Sequence, residues 1–204
     1  MGCTVAVPMR PAPRAAESAC SSLHFVFLPG TFEVGFGIVG TPLKYGLASE
    51  IPSITAYSIP YNRSRDYGES LTEGANMTVN HIASQAATCP DQRFILGGFS
   101  KGASVMHRVD LPNELKSKVL AINIFGDPDV KSAPSIVNNW PIESPVINNS
   151  PRNRTDASQN VISFCNRGDY TCYPGGHDFI PHILYPLDGS VLTAVQFDKM
   201  RAGM

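Results

Sequence analysis

The five-residue segment Gly98-Phe99-Ser100-Lys101-Gly102 constrains the fold of this chain more than any other. It follows an apolar run at residues 93–96 that is typical of a buried strand, and it precedes a run at 103–108 that can begin a helix. So tight a turn between a strand and a helix forces the serine into a strained backbone conformation, which the glycines on either side allow. The strain raises the Ser100 hydroxyl above the sheet, as suits a nucleophile. The alternative is a plain turn of small residues, which Gly97 also fits.

Short apolar runs elsewhere predict the other strands of a sheet. The five predicted strands cover residues 24–28, 54–59, 93–99, 119–125 and 161–165. The helices predicted between and after them cover residues 43–49, 69–88, 100–109 and 190–201. Strands that alternate with helices are typical of a parallel sheet covered on both faces. We therefore expect an α/β fold, a three-layer α/β/α sandwich around a mostly parallel sheet.

Length and charge narrow the function classes. With 204 residues and a net charge of -1, the chain offers neither a basic face for nucleic acid nor a polybasic membrane patch. No apolar run approaches the ~20 residues of a membrane span. We expect a single catalytic domain at residues 18–204 that acts as a monomer. Residues 1–17, which lack the apolar core of a signal peptide, are expected to be a flexible N-terminal segment or an added remnant, and residues 132–155 a surface excursion.

Cysteines and glycosylation motifs indicate the cellular compartment. The chain has five cysteines: Cys3, Cys20, Cys89, Cys165 and Cys172. The last four fall in the predicted domain and allow three pairings, which sequence alone does not distinguish, whereas Cys3 is expected to be unpaired in the tail. Asn-x-Ser/Thr motifs begin at Asn62, Asn76, Asn148 and Asn153. Together these features favour a secreted, extracellular glycoprotein.

A serine nucleophile needs a histidine base, which in folds with this turn follows both the serine and the acid along the chain. Only His177 and His182 come late enough. The apolar neighbours of His182 suit a base whose neutral form must persist near pH 7, although a packed loop histidine is the alternative. The other three histidines are expected to be structural: His24, His81 and His107.

Two aspartates compete for the role of the acid. Asp127 and Asp169 each follow a predicted strand, where the loops of a parallel sheet meet ligands. Asp169 lies between Cys165 and Cys172, and a bond between these cysteines would fix the direction of its carboxylate. Asp127 precedes a proline and also suits a turn. The residues favour Asp169 as the acid, and Asp127 stays the alternative.

From about Ala19 to the C-terminus, these features resemble the fungal cutinases. The segment around Ser100 is similar to the family's Gly-Tyr-Ser-Gln-Gly, and Cys89 precedes this serine by eleven residues, as in the family. Asp169 and His182 stand thirteen residues apart, in a cysteine-flanked acid loop and a histidine segment that resemble those of the family.

The resemblance implies a small α/β-hydrolase fold and an extracellular serine carboxylesterase that hydrolyses cutin-like polyesters and short- to medium-chain esters. It implies Ser100 as the nucleophile, His182 as the base and Asp169 as the orienting acid, and it makes Asp127 a structural strand end. The loop at residues 30–35 resembles the family's Gly-Ser-Thr-Glu-Thr-Gly.

That loop implies that Thr31 donates to the oxyanion, with the backbone N–H of Lys101 as the second donor. The disulfides implied are Cys20–Cys89 and Cys165–Cys172. No metal or organic cofactor is implied.

Several residues depart from the family pattern. Thr31 stands in place of serine and Lys101 in place of glutamine, and a cation beside the oxyanion would alter pH behaviour or favour an anionic substrate. Gly176 and Asp178 stand at usually apolar positions, which predicts a less apolar rim. The alternatives are an acetylxylan-type esterase, whose relatives usually carry more cysteines, and a catalytically silent binding protein, against which the intact Ser100 and its partners argue.

Overall fold

A five-stranded parallel sheet forms the centre of the protein in a computed structural model, which describes residues 20–132 and 160–204. The sheet has the order β2-β1-β3-β4-β5, and every neighbouring pair is parallel. The strands are β1 (Leu23–Leu28), β2 (Thr55–Ser58), β3 (Arg93–Phe99), β4 (Val119–Phe125) and β5 (Val161–Phe164). The predicted α/β class is confirmed, and each predicted strand is present with ends that differ by at most one residue.

Helices connect the strands and cover the sheet. They are α1 (Gly37–Glu50), α2 (Glu69–Thr88), α3 (Lys101–Met106), α4 (Asn113–Lys116), α5 (Pro128–Ser132), α6 (Ile180–Ile183) and α7 (Ser190–Ala202). The prediction for α2 is confirmed at both ends and that for α7 to within one residue, whereas α3 is shorter than predicted. The short helices α4, α5 and α6 were not predicted.

The helix predicted at residues 43–49 is twice as long as expected, because α1 continues through Pro42. Proline and glycine lower the local preference for helix, which explains the late predicted start. Tertiary packing outweighs that preference. A Cβ on Gly40 would lie only 2.4 Å from the ring of Phe27, so the missing side chain lets α1 approach β1 closely.

Alternating side chains of β1 divide the interior into two cores. Phe25 and Phe27 pack with apolar residues of α1 and α7 on one face of the sheet. Val26 and Leu28 pack with those of α2 and α3 on the other. All four side chains are fully buried, which explains why the strand lacks a polar face in the sequence.

The strand order places a binding crevice at one edge of the sheet. The chain forms β2 on one side of β1 and β3 on the other, so the order reverses between β1 and β3. Open parallel sheets bind ligands at such a reversal, beyond the carboxyl ends of the strands. The segments that follow β1, β3, β4 and β5 all emerge at that edge.

Two disulfides tie the fold together, in the pairing that the resemblance implies. Cys20 is bonded to Cys89 across 69 residues of sequence, and Cys165 is bonded to Cys172 across seven. In the chain-entropy account, closing a loop as long as the first contributes about 4 kcal/mol to stability.

Some predicted features lie outside the described residues. These are the N-terminal segment at 1–17 with Cys3, nearly all of the predicted excursion at 132–155, and the motifs at Asn148 and Asn153. Asn62 and Asn76 of the other two motifs are exposed. No helix in the described part of the chain has the length and apolarity to cross a bilayer.

A buried carboxyl group links β4 to α7. The Asn123 amide donates to both carboxylate oxygens of Asp198, at 3.1 and 2.8 Å, and neither side chain is exposed to solvent. Burial raises the pKa of Asp198 well above its ordinary value, an effect that the Asn123 bond only partly offsets. The folded state therefore holds a proton that the unfolded chain releases at a lower pH, and stability falls as the pH rises above the ordinary value.

We expect Asp198→Asn to stabilise the protein at neutral and alkaline pH, because the amide keeps the shape of the carboxyl group and removes its ionisation cost. The melting temperature should rise by about 2 °C or more, the shift that ~1 kcal/mol gives a domain of this size. Thermal melts of both proteins at about pH 8 and about pH 4 measure the effect, and the gain should shrink at the lower pH. Asp91→Asn, at an exposed position, is the control. A gain that is equal at both pH values would contradict the assignment.

Candidate active site

The turn between β3 and α3 holds Ser100 in a strained conformation. Its backbone has φ +53° and ψ −120°, which a non-glycine residue adopts at a cost of about 1–3 kcal/mol. A Cβ on Gly102 would lie 1.9 Å from the Leu28 carbonyl oxygen, and one on Gly98 would lie 2.6 Å from the Gly102 carbonyl oxygen. Only glycine therefore fits two residues before and two residues after the serine, as the sequence predicts. The Ser100 N–H donates to the Phe125 carbonyl at 2.9 Å and so ties the turn to β4.

Ser100 opens into a cleft of about 1060 Å³ at the carboxyl edge of the sheet. Thr31 from the turn after β1 and His182 from α6 line the same cleft. Most of the other lining side chains are apolar or aromatic: Phe32, Ile38, Tyr67, Phe99, Pro128, Tyr170, Phe179 and Ile183. The remaining lining residues are Glu33, Arg65, Lys131 and Thr171.

Asp169 and His182 form a buried pair, and His182 lines the same cleft as Ser100. The His182 Nδ1 lies 3.0 and 2.9 Å from the two carboxylate oxygens of Asp169, and neither residue is more than 3% exposed. A carboxylate on Nδ1 holds the proton there and leaves Nε2 as the basic nitrogen. That nitrogen lies 3.4 Å from the Thr171 hydroxyl.

The Asp169 carboxylate is held by more donors than the sequence indicates. The Tyr185 hydroxyl donates to Oδ2 at 2.6 Å, and the Thr171 N–H donates to Oδ1 at 2.7 Å. Burial alone raises the pKa of Asp169, but the hydrogen bonds from His182 and Tyr185 outweigh it and hold the pKa below its ordinary value. The carboxylate therefore stays ionised although it is fully buried. Burial, with the charge of Asp169, raises the pKa of Tyr185, which keeps its hydroxyl protonated as a donor.

The loop that carries Asp169 is fixed by more than its disulfide. A Cβ on Gly176 would lie 2.2 Å from the Asp169 carbonyl oxygen, so the loop closes on itself only with glycine there. Asp178 pairs with the same loop through two backbone hydrogen bonds, to Gly168 and Tyr170. The Lys131 ammonium donates to two carbonyls of the loop, those of Tyr170 and Gly176.

This packing separates the two residues on which the prediction of a less apolar rim rests. Gly176 is buried and contributes nothing to the rim. The side chains that stand there are Phe179 and Ile180, each more than half exposed, and the partly exposed Tyr170. Asp178 uses its side chain to accept the N–H of Ile180 at the start of α6. Asp178 is itself exposed and stands beside these apolar side chains, so a less apolar rim stays a prediction.

The turn after β1 is held by the half-buried carboxylate of Glu33. Glu33 accepts the N–H of Gly30 at 2.6 Å and that of Ile38, in the first turn of α1, at 2.8 Å. Burial raises the pKa of Glu33, and its hydrogen bonds and the nearby His182 oppose the rise. Thr31 lies within this turn, and its hydroxyl is 3.4 Å from that of Tyr67. Glu33 thereby shapes the cleft wall that carries Thr31.

The Lys101 ammonium does not face the cleft, contrary to the expectation of a cation beside the oxyanion. The side chain is fully buried and turns toward the segment between β2 and α2. There its Nζ donates to three backbone carbonyls, those of Asn62, Ser64 and Asp66. Burial lowers the pKa of Lys101, and the carboxylates of Asp66 and Glu73 oppose that shift.

Asp127, the alternative acid, has a different partner. Its Oδ2 lies 2.5 Å from His107 Nε2, both residues are buried, and neither is among the described residues that line the cleft. Asp129 adds a third possible metal ligand within 4.8 Å. Its carboxylate is already paired with Arg108 at 3.0 Å and accepts the Ser104 hydroxyl, so both carboxylates of the cluster have internal partners.

The remaining histidines lie away from the cleft lining. His24 and His81 contact each other through their Nε2 atoms at 2.9 Å. Burial, assisted by His81, lowers the pKa of His24 to about 4, so the pair is neutral near pH 7. His177 is exposed and lies before α6.

Comparison with known proteins agrees with this geometry. A family model described as Cutinase matches residues 19–201. The chain belongs to the cutinase family. It is accordingly a serine hydrolase of carboxylic esters, and the prediction of a cutinase-type esterase is confirmed.

Individual members show how far the likeness extends. The carboxylesterase Culp1 of Mycobacterium tuberculosis is 30% identical over 97% of this chain and 90% of its own length. The structure of a Trichoderma reesei cutinase with a phosphonate inhibitor is 25% identical, with a TM-score of 0.68 over 89% of this chain and 77% of the other. The catalytic core of a Trichoderma reesei acetyl xylan esterase shares the fold, with a TM-score of 0.71 and 19% identity over 89% of this chain and 99% of the other.

Gly126 is a further residue that sequence reasoning missed. It has φ +56°, and a Cβ there would lie 2.7 Å from His182 Cε1 and 3.3 Å from the Tyr185 ring. The imidazole therefore occupies the space that a side chain would fill. The glycine that follows β4 sets how deeply the histidine of this cutinase can lie beside Asp169.

We expect Gly126→Ala to lower kcat, because the added methyl group displaces the His182 ring. A displacement of about 1 Å within an active site can cost ~100-fold in rate. Steady-state kinetics with p-nitrophenyl butyrate measure the loss. Gly189→Ala is the matched control, since Gly189 also has a positive φ, of +90°, but nothing lies within 4 Å of its added Cβ. Equal losses in the two variants would mean that backbone strain, not the contact with His182, is responsible.

Proposed function

We propose that Ser100 is the nucleophile of this esterase, His182 its general base and Asp169 the acid that orients the base. The observation that carries the proposal is a strained serine in the same cleft as a histidine whose Nδ1 is bonded to a buried carboxylate. The lowered pKa of Asp169 supports it, because an ionised carboxylate stabilises the imidazolium that forms when the histidine accepts a proton.

The reaction begins when an ester carbonyl enters the cleft. The Ser100 oxygen attacks its carbon, and His182 Nε2 takes the hydroxyl proton. The contact of Nε2 with the Thr171 hydroxyl, at 3.4 Å, gives way as the reacting groups align, since catalytic hydrogen bonds are often loose before substrate binds. His182 then returns the proton to the leaving alcohol, and an acyl-enzyme remains on the serine. Water, activated by the same histidine, releases the acid.

The backbone N–H groups of Thr31 and Lys101 are the proposed donors to the oxyanion. Thr31 lines the cleft, and Lys101 follows the serine directly as the first residue of α3, where backbone N–H groups have no partner within the helix. Loss of one such donor typically costs ~2.7–4 kcal/mol of barrier. The proposed chemistry needs these protein groups and a water molecule, with no metal or organic cofactor.

The substrates that we propose are cutin-like polyesters and short- to medium-chain acyl esters. Support comes from the cleft, whose walls are mainly apolar and whose rim exposes Phe179 and Ile180. Apolar walls favour an acyl chain over the polar sugar of acetylated xylan. The acetylxylan-type activity is the second candidate, because the fold is shared with an acetyl xylan esterase.

We also propose that the protein acts outside the cell as a glycosylated monomer. Its two disulfides support this location, because disulfides persist in oxidising compartments. The exposed motif asparagines Asn62 and Asn76 are the acceptor sites within the described residues.

Ser100→Ala should lower kcat/KM for p-nitrophenyl butyrate about a thousandfold or more, while the circular dichroism spectrum stays that of the parent. A phosphonate that labels the parent enzyme provides a second measurement. After digestion with trypsin, Ser100 is the only hydroxyl residue in the peptide from residue 94 to residue 101, so a mass increase on that peptide identifies the site. Activity of more than a few per cent in the variant, or a label on another peptide, would refute the nucleophile.

The substrate class is tested by a series of p-nitrophenyl esters run beside a cutin film and acetylated xylan. We expect butyrate and longer acyl groups to be hydrolysed faster than acetate, because only they fill the apolar cleft, and hydroxy fatty acids to be released from cutin. Preference for acetate together with release of acetate from xylan would favour the second candidate instead.

A further inference from the structure

The Lys101 side chain is buried in a way that is unusual for lysine. None of it is exposed to solvent, and its Nζ lies 3.0, 2.7 and 2.5 Å from the carbonyl oxygens of Asn62, Ser64 and Asp66. An ammonium group has three N–H donors, and here each has an acceptor. The rings of Tyr61 and Tyr67 also lie 5.8 and 5.2 Å from the charge. The cation therefore binds a segment of backbone and is not available to a substrate.

The segment that it binds, residues 62–67, forms one wall of the cleft; we call it the clamp loop. Its residues Arg65 and Tyr67 line the cleft. Although the loop has no helix or strand of its own, three of its carbonyls converge on a single ammonium group. The N–H of Asn62 is further bonded to the Glu73 carboxylate of α2, at 3.3 Å.

On its other side, the clamp loop holds the turn that contains Thr31. The N–H of Phe32 donates to the Arg63 carbonyl at 2.8 Å, and the Tyr67 hydroxyl lies 3.4 Å from that of Thr31. The Arg65 guanidinium lies 5.6 Å from the ring of Phe32. One loop thus contacts the residue next to the nucleophile and the turn across the cleft.

We propose that Lys101 is a positioning residue for the oxyanion hole. Its ammonium fixes the clamp loop, and the clamp loop sets the distance between the Thr31 N–H and the Lys101 N–H. The inference rests on the proposed function, because it takes these two N–H groups as the oxyanion donors. Lys101 then serves the reaction twice, directly with its backbone and indirectly with its side chain.

The physical basis is the demand of the oxyanion hole for fixed donors. Donors stabilise the transition state strongly only where they are held in place before the reaction. Removing the ammonium takes one donor from each of three carbonyls. The Asp66 carbonyl keeps the Ser70 hydroxyl, but those of Asn62 and Ser64 must find water, and the clamp loop must move to reach it. That movement draws Phe32, and with it Thr31, away from the serine.

The test is Lys101→Met, which keeps most of the volume of the side chain and removes the charge. We expect kcat for p-nitrophenyl butyrate to fall about 10- to 100-fold with KM changed by no more than about 3-fold, since the lost interaction acts in the transition state. Butylboronic acid, whose adduct with serine presents a tetrahedral oxyanion, should lose affinity by a similar factor. Lys118→Met is the matched control, because Lys118 also donates to a backbone carbonyl, that of Pro90, at the opposite edge of the sheet. It should leave kcat unchanged.

Lys101→Gln keeps the proposal testable if the Met variant does not fold. Its amide supplies two of the three donors, so the losses of kcat and of boronate affinity should be smaller than for Met but still parallel. Unchanged kcat and boronate affinity in a folded variant would overturn the proposal, and so would a loss confined to KM or to thermal stability. Phosphonate labelling of Ser100 in each variant separates this outcome from failure of the proposed nucleophile, which would remove the label in the parent enzyme as well.

Discussion

The contact between the first turn of α3 and the carboxyl end of β1 is the constraint on which the rest of the site depends. Gly102 lies so close to the Leu28 carbonyl that no side chain fits between them. Because the chain must turn sharply to make this approach, Ser100 adopts a positive φ and is held at the edge of the sheet. β1 and β3 are neighbours at the point where the strand order reverses, so the same contact fixes the serine relative to the turn that carries Thr31.

Asp169 and His182, the proposed acid and base, are organised differently, because they lie in an irregular loop and a single-turn helix. Asp169 keeps its charge in a buried position only because His182, Tyr185 and the Thr171 N–H all donate to it. Its loop is closed by the bond between Cys165 and Cys172 and by the absence of a side chain on Gly176. Rigidity that a helix or strand would supply elsewhere comes here from hydrogen bonds, a covalent link and close packing.

Lys101 connects the serine turn to the clamp loop on the opposite wall of the cleft. In this member of the cutinase family a lysine follows the serine, and its ammonium group donates hydrogen bonds to three backbone carbonyls of the clamp loop. The expectation from sequence, a cation that acts on the substrate, was reasonable for an exposed lysine at that position. The structure turns the side chain the other way, because three carbonyls replace the water that a buried ammonium loses.

The sequence by itself determined the features that depend on neighbouring residues. The five strands, the long helix α2 and the small residues around Ser100 follow from local apolar patterns and glycine positions, and the order of serine, acid and histidine is visible in the chain. The choice of Asp169 over Asp127 was favoured by the flanking cysteines, and the pairing of Asp127 with His107 agrees with it.

Only the tertiary structure decided what depends on residues distant in the chain. The extension of α1 through Pro42 depends on packing against β1, and the helix propensities of the neighbouring residues do not predict that packing. The Tyr185 bond to Asp169, the space that Gly126 leaves for His182 and the acceptors of Lys101 are contacts between segments that the fold brings together. Local sequence specifies backbone conformation and burial, whereas the direction of a long or buried polar side chain is set by whichever partners the folded chain places within its reach.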